Sequence, residues 1–334
     1  MQMSFIDVKA KKKILAFYSQ LKSSSINPNL SDKFFEMIGA GVFKTPDRPF
    51  ERFCYYQELL EMFKEDDLDK YNIIHKGTPF YFMSWTSYQM NDFEKALFYM
   101  DAAIAEDIKN FPGRWKTKPP FKFLTLNESG GHTAIDIVKR IRKNFIAQID
   151  RFNNISGYPP ITIDEMIKGF IKPFIDDKST HTIVTSFYTF LLSFADHLAG
   201  LKLLGSKAGS IEPYLSHLFK GGLLFESILK GLYPNYKNET LNKIFKNIDF
   251  QTDFGIKSVE TRSTSLENII FKINSDDLQT SFNTISRLRN TTGHNLVWDN
   301  VFNESNYEKL FNQQMNAILY VISKKYIQNN TNIV

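Results

Sequence analysis

The chain is predicted to be all-α. Apolar residues recur at helical spacing through most of its 334 residues, and short segments rich in Pro, Gly, Ser and Asn punctuate those runs. A hydrophobic content of 43%, with 15% aromatic residues, is enough for a packed core. Two domains are expected at this length. Residues 1–177 read as an irregular helical-hairpin domain with a regulatory or sensing role, and residues 178–334 as an up-down-like helical bundle. The break is placed at "DDKST" (176–180), with "SGYPP" (156–160) as a competitor.

Residues 8–22 form an amphipathic helix that stops at "SSSINPN", and residues 51–65 form a second. Residues 77–107 read as two helices joined at Asn91-Asp92, with Asn91 as the N-cap of the second. Phe80, Met83, Ser84 and Ser87, followed by Ala96, Met100 and Ala103, fall near the spacings at which a tetratricopeptide repeat nests its helices, so this pair resembles one such hairpin. Prolines and glycines interrupt residues 111–131, where "FKFLTL" suggests a short strand. A helix resumes over 132–152, and another starts after Thr162, whose spacing to Glu165 is that of a capping box. The bundle helices are expected at 181–202, 210–232, 276–292 and 305–327.

Composition excludes several classes. The most apolar run, 183–194, is too short to span a bilayer, and the N-terminus lacks a signal-peptide apolar region. The single cysteine, Cys54, excludes an intramolecular disulfide framework and a multi-cysteine zinc site. A soluble, cytoplasmic protein with no membrane partner is expected. The net charge of +5 is mild but uneven, because residues 109–143 hold nine Lys/Arg against Glu128 and Asp136. Such a run is usually a solvated face. Its other reading is RNA contact, through Arg114, Lys116, Lys118, Arg140 and Arg142.

No phosphate-binding loop, dinucleotide fingerprint or HExxH motif occurs. "NESGGH" (127–132) reads as a turn, and Cys54 as a packed thiol. Asp196 and His197 are helix neighbours that point apart, while His75, His132, His181 and His217 show no recognisable partners in the sequence. "RNTTGH" (289–294) is different. Phe282, Ile285 and Leu288 form the buried stripe of the helix leading into it, which is expected to end near Thr292 with Gly293 as its left-handed cap. His294 would then fold back beside Arg289. Arginine supplies a permanently charged fork for phosphate oxygens, and histidine an acid or base that titrates near neutrality. No metal or other cofactor is needed for that chemistry.

With Asn290 directly after Arg289, a closing helix behind the motif, and Glu226 and Lys230 in "FESILK" on an earlier helix, the C-terminal half resembles the HEPN superfamily and its R-x4–6-H and E-x3-K elements. Arg287 is a second arginine near the motif and a candidate RNA contact. The resemblance covers about residues 180–330. It implies a metal-independent endoribonuclease acting as a homodimer, in which two motifs form one composite cleft and cleavage leaves 2′,3′-cyclic phosphate and 5′-hydroxyl ends. His294 would then serve as general acid or base, Arg289 would stabilise the phosphorane, and Asn290 would position the phosphate or the histidine. Glu226 and Lys230 would support them. It also implies a toxin or anti-phage effector, governed by an antitoxin or another regulatory protein. The rival reading is a non-catalytic scaffold whose bundle dimerises or binds a nucleotide while the N-terminal half binds a protein.

Overall fold

Every secondary-structure element among the described residues is helical. The computed structural model describes residues 4–23, 28–40, 44–129, 134–155, 157–177, 180–204, 210–291 and 303–328. The fold class is therefore all-α. The chain divides into two compact units, Met1–Lys139 and Arg140–Val334. That division falls earlier than the 177/178 break read from the sequence. Helices of 140–177 bury their aromatic faces on the C-terminal helices: Phe145 and Phe170 both pack against Phe187.

The first unit holds α1 (Val8–Ser23), α2 (Pro28–Gly39), α3 (Pro49–Asp66), α4 (Leu68–Ile73), α5 (Gly77–Gln89), α6 (Phe93–Asn110) and α7 (Pro119–Leu124). Its core is aromatic. Tyr18 of α1 stacks on Phe63 of α3 at 4.0 Å, and Phe34 and Phe35 of α2 close around the same ring. Full burial of each such side chain contributes roughly 2–3 kcal/mol. The α5–α6 hairpin is present. Met83, Ser84, Ser87, Ala96, Met100 and Ala103 are buried, and the Ser84 hydroxyl donates to the Ala96 carbonyl at 2.7 Å. Small residues at these positions let the helices approach closely.

Two local expectations are corrected. Asp92, not Asn91, caps α6, accepting from the Lys95 amide at 3.1 Å; Asn91 instead takes the left-handed turn position at φ 57°. "FKFLTL" is not a strand. Pro119 and Pro120 open α7 at its first turn, where the missing amide proton carries no cost, and Phe123 and Leu124 are fully buried. The segment after "SSSIN" begins a helix at Pro28 for the same reason.

α8 (Ile135–Asn153) carries the chain into the second unit. α9 (Ile163–Met166) starts with the expected capping box: Thr162 accepts from the Glu165 amide at 3.2 Å, and Glu165 accepts from the Thr162 amide at 2.8 Å. Thr162→Ala is expected to lower the unfolding free energy by about 1 kcal/mol. Urea titration of the two proteins checks this, and coincident curves would remove the box from the stability of the unit. A π turn, Ile167–Ile171, leads into α10 (Lys172–Asp176), whose Pro173 cannot donate an ordinary helical hydrogen bond.

α11 (His181–Leu204), α12 (Glu212–Leu232), α13 (Leu241–Asn247), α14 (Phe250–Phe254), α15 (Leu266–Phe271), α16 (Leu278–Thr291) and α17 (Glu304–Val321) follow, α17 continuing as a π turn at Ile322–Ile327. α12 packs on α11, α16 and α17, and α16 packs on α17. The predicted stripe of α16 is correct: Phe282, Ile285 and Leu288 are fully buried. Short helices α13 to α15 fill the stretch whose sequence shows no regular period. Among the described residues, no helix is long and apolar enough to cross a membrane.

Candidate functional site

The polar cluster nearest the sequence motif is built across α12 and α16. Glu226 and Lys230, four residues apart on α12, share one helix face. Lys230 Nζ lies 2.7 Å from Glu226 Oε1, and Arg289 Nε, in the last turn of α16, lies 3.1 Å from Glu226 Oε2. Only 9% of the Glu226 side chain is exposed, against 25% for Lys230 and 29% for Arg289. The carboxylate is thus inside, and the two cations rise from it toward solvent. The Arg289 guanidinium also lies over the Phe219 ring at 4.9 Å. One buried anion and two cations leave a net positive patch suited to an anionic ligand.

The neighbours of Arg289 face elsewhere. Asn290 donates to the Thr261 carbonyl at 2.7 Å and to Asn242 Oδ1 at 3.3 Å. Arg287, expected to contact RNA, is buried and ion-paired with Glu260. Both bind a feature without sequence periodicity: residues 256–265, which have no helix of their own, run along one face of α16. Gln279 is hydrogen-bonded to the Ser258 carbonyl, and Asn283 Oδ1 accepts from the Glu260 amide at 2.7 Å. Near the end of α16, the Thr264 amide donates to Thr291 Oγ1 at 3.3 Å. Polar residues recurring at helical spacing on α16 are the signal for this strap.

Arg289, Glu226 and Lys230 thus meet, while Asn290 is turned onto the strap. His294 and Gly293 lie outside the described residues. No known family model, curated protein or solved structure matches the chain. The remaining candidate RNA contacts are divided between the units. Arg114 and Lys116 are exposed and lie over Phe111 and Trp115, at 5.8 and 5.4 Å. Lys118 is drawn inward, 2.8 Å from Asp32 Oδ2 and 3.7 Å over Phe111. In the second unit, Arg140 is exposed and Arg142 pairs with Asp164 at 3.2 Å.

Two histidines for which no partner was expected have strong ones. His75, 1% exposed, is clamped between carboxylates: Nδ1 lies 2.7 Å from Asp32 Oδ1 and Nε2 2.9 Å from Asp107 Oδ1. Burial alone pulls its pKa down, but the hydrogen bonds and charges of Asp107 and Asp32 outweigh it and raise the pKa to about 9. Burial pushes the Asp107 carboxyl up, whereas at Asp32 burial is outweighed by His75 and Lys118, which hold it below its ordinary value. The clamp joins α2, α6 and the segment before α5, with the lysine before α7 completing it.

His217 of α12 is the opposite case. Nε2 lies 2.8 Å from the Phe190 carbonyl, which can only accept, so Nε2 carries the proton. Burial lowers the pKa to about 3, so the ring is neutral and Nδ1 accepts from the Tyr307 hydroxyl at 2.7 Å. The Tyr307 oxygen can then accept from His197 Nδ1, 3.2 Å away. His197 therefore joins a relay with α17, not with its neighbour Asp196. Tyr307→Phe leaves Nδ1 of a buried ring without a donor, and a loss of about 1–3 kcal/mol is expected by urea unfolding. A loss below a few tenths would mean that this bond carries no net stability.

Proposed function

We propose that the protein is a metal-independent endoribonuclease of HEPN type, with Arg289 and His294 as its central pair. The observation that supports the reading is the Arg289–Glu226–Lys230 cluster. Arg289 and Glu226 of "FESILK", 63 residues apart in the chain, meet at one buried carboxylate, with Lys230 Nζ at 2.7 Å and Arg289 Nε at 3.1 Å. Holding a guanidinium by Nε leaves its outer nitrogens for phosphate oxygens.

In the proposed reaction, the ribose 2′-oxygen attacks the adjacent phosphorus and the bond from phosphorus to the 5′-oxygen breaks. His294 takes the 2′-hydroxyl proton or delivers one to the departing 5′-oxygen, and its counterpart in a second copy completes the exchange. Arg289 and Lys230 offset the charge growing on the non-bridging oxygens. The products are a 2′,3′-cyclic phosphate and a 5′-hydroxyl. Asn290 has a positional role, since its amide is held by Thr261. A homodimer with a composite cleft and control by a regulatory or antitoxin protein belong to the same proposal, with RNA contacts from Arg114, Lys116 and Arg140.

The test is incubation of the purified protein with structured RNA in EDTA, followed by end-group analysis. Cyclic phosphate and 5′-hydroxyl ends support the reading. An intact RNA panel, with a partner protein co-purifying, favours the non-catalytic scaffold, in which the same cluster is an internal tie between α12 and α16.

A further inference from the structure

Phe219, Gly222, Glu226 and Lys230 are spaced by three, four and four residues, which aligns them on one face of α12. Arg289 crosses that face. A Cβ on Gly222 would stand 2.8 Å from Arg289 Cβ and 3.2 Å from its Cα. The second contact is with backbone, so a side chain at 222 cannot be accommodated by a rotamer change at Arg289 alone. Gly221 next to it serves a different contact: a Cβ there would meet Gln314 Oε1 at 2.6 Å and Phe190 at 2.7 Å. The two glycines thus let α12 approach separate neighbours, and only Gly222 lies under Arg289.

We infer that Gly222 and Phe219 are positioning residues that seat Arg289, setting the direction in which its guanidinium meets a phosphodiester. Gly222 fixes how close the α16 backbone comes to α12. The guanidinium carbon lies over the Phe219 ring at 4.9 Å, and Glu226 holds Nε at 3.1 Å. With Nε engaged by Glu226, the further donors of the guanidinium are its two terminal nitrogens. Among the described residues, neither terminal nitrogen of Arg289 is hydrogen-bonded, and Lys230 Nζ is bound to the other oxygen of the same carboxylate. A planar fork beside a point charge suits the two non-bridging oxygens of a phosphodiester. The catalytic consequence of the seat rests on the nuclease reading; the seat itself does not.

The experiment pairs nuclear magnetic resonance of arginine Nε–H groups with cleavage kinetics in the full-length protein. The chain has nine arginines, and the Arg289 signal is assigned by its loss in Arg289→Lys. In wild type, a slowly exchanging Nε–H is expected, shifted by the Phe219 ring and by Glu226. Gly222→Ala should move or broaden that signal and reduce kcat at least tenfold, with KM changed less than threefold. Phe219→Leu adds no volume against α16, so it decides the matter where Gly222→Ala does not fold. It should remove the ring-induced shift and reduce kcat severalfold. Gly221→Ala, where it folds, should lose stability while leaving the Arg289 signal in place. An unchanged Arg289 signal in folded Gly222→Ala or in Phe219→Leu overturns the seat. Wild type that cleaves no RNA overturns the nuclease reading, and the resonance arm still decides the seat.

Discussion

Arg289→Ala is expected, on the proposed nuclease reading, to reduce EDTA-resistant RNA cleavage by about a hundredfold or more, and His294→Ala by roughly 10²–10⁴-fold. In the proposed reaction, the arginine figure follows from removing the donor that would face the charge developing on phosphorus. The histidine figure follows from losing positioned proton transfer. Arg289→Lys should rescue little, because an ammonium cannot keep the bond to Glu226 and still present a fork. Glu226→Gln should fall between wild type and Arg289→Ala. It retains an acceptor for Nε but loses the charge that holds Arg289 and Lys230 together. Single-turnover rates on one RNA substrate in EDTA rank the four variants. Equal rates in all of them and in wild type would mean that cleavage arises elsewhere.

His75→Ala is expected to be among the most destabilising single changes in the first unit, costing about 3–5 kcal/mol. It leaves Asp107 buried without its cation and Asp32 with Lys118 alone. The effect should depend on pH in a defined direction. The folded pKa of His75, about 9, lies above its ordinary value of 6.5, so the folded state holds a proton that the unfolded state releases. Its stabilisation is fully present below pH 6.5 and is lost as pH rises through 9. The gap between wild type and His75→Ala should therefore narrow across that window. His217 has the opposite sign. Its folded pKa of about 3 lies below 6.5, so the unfolded state binds the extra proton and stability falls as pH drops from 6.5 toward 3. Urea unfolding at pH 5, 7 and 9.5, followed by hydrogen exchange in each unit, reads both effects. A gap that is constant across pH would exclude an imidazolium clamp at His75.

How much of this was legible depends on the range of each interaction. Helical period and stop signals located the long helices, and the Thr162 box was readable because its partners are three residues apart. The buried stripe of α16 and the shared face of Glu226 and Lys230 followed from helix geometry in the same way. Local rules also misled. Pro119-Pro120 before alternating aromatics looked like a strand, and Asn91 took the turn position beside the true cap, Asp92.

The two buried histidines show where sequence reading stops. His75 and Asp107 are 32 residues apart, and His217 and Tyr307 are 90 apart, so no local pattern marks either pair. The strap of 256–265 was equally hidden, because its binding surface is the polar face of another element.

By itself, the sequence determined an all-α chain, the placement of its long helices, and the arginine, glutamate and lysine that belong to one candidate site. Those properties depend on residue type and on neighbours within one or two helical turns. The tertiary structure alone decided that Arg289 rests on Gly222 and Phe219, that Asn290 is turned onto Thr261, that Arg287 is buried, and that two carboxylates push the pKa of His75 up while burial pushes that of His217 down. Each of these depends on which surfaces meet when helices distant in sequence exclude water from one another. That choice is made by shape and burial across the whole unit.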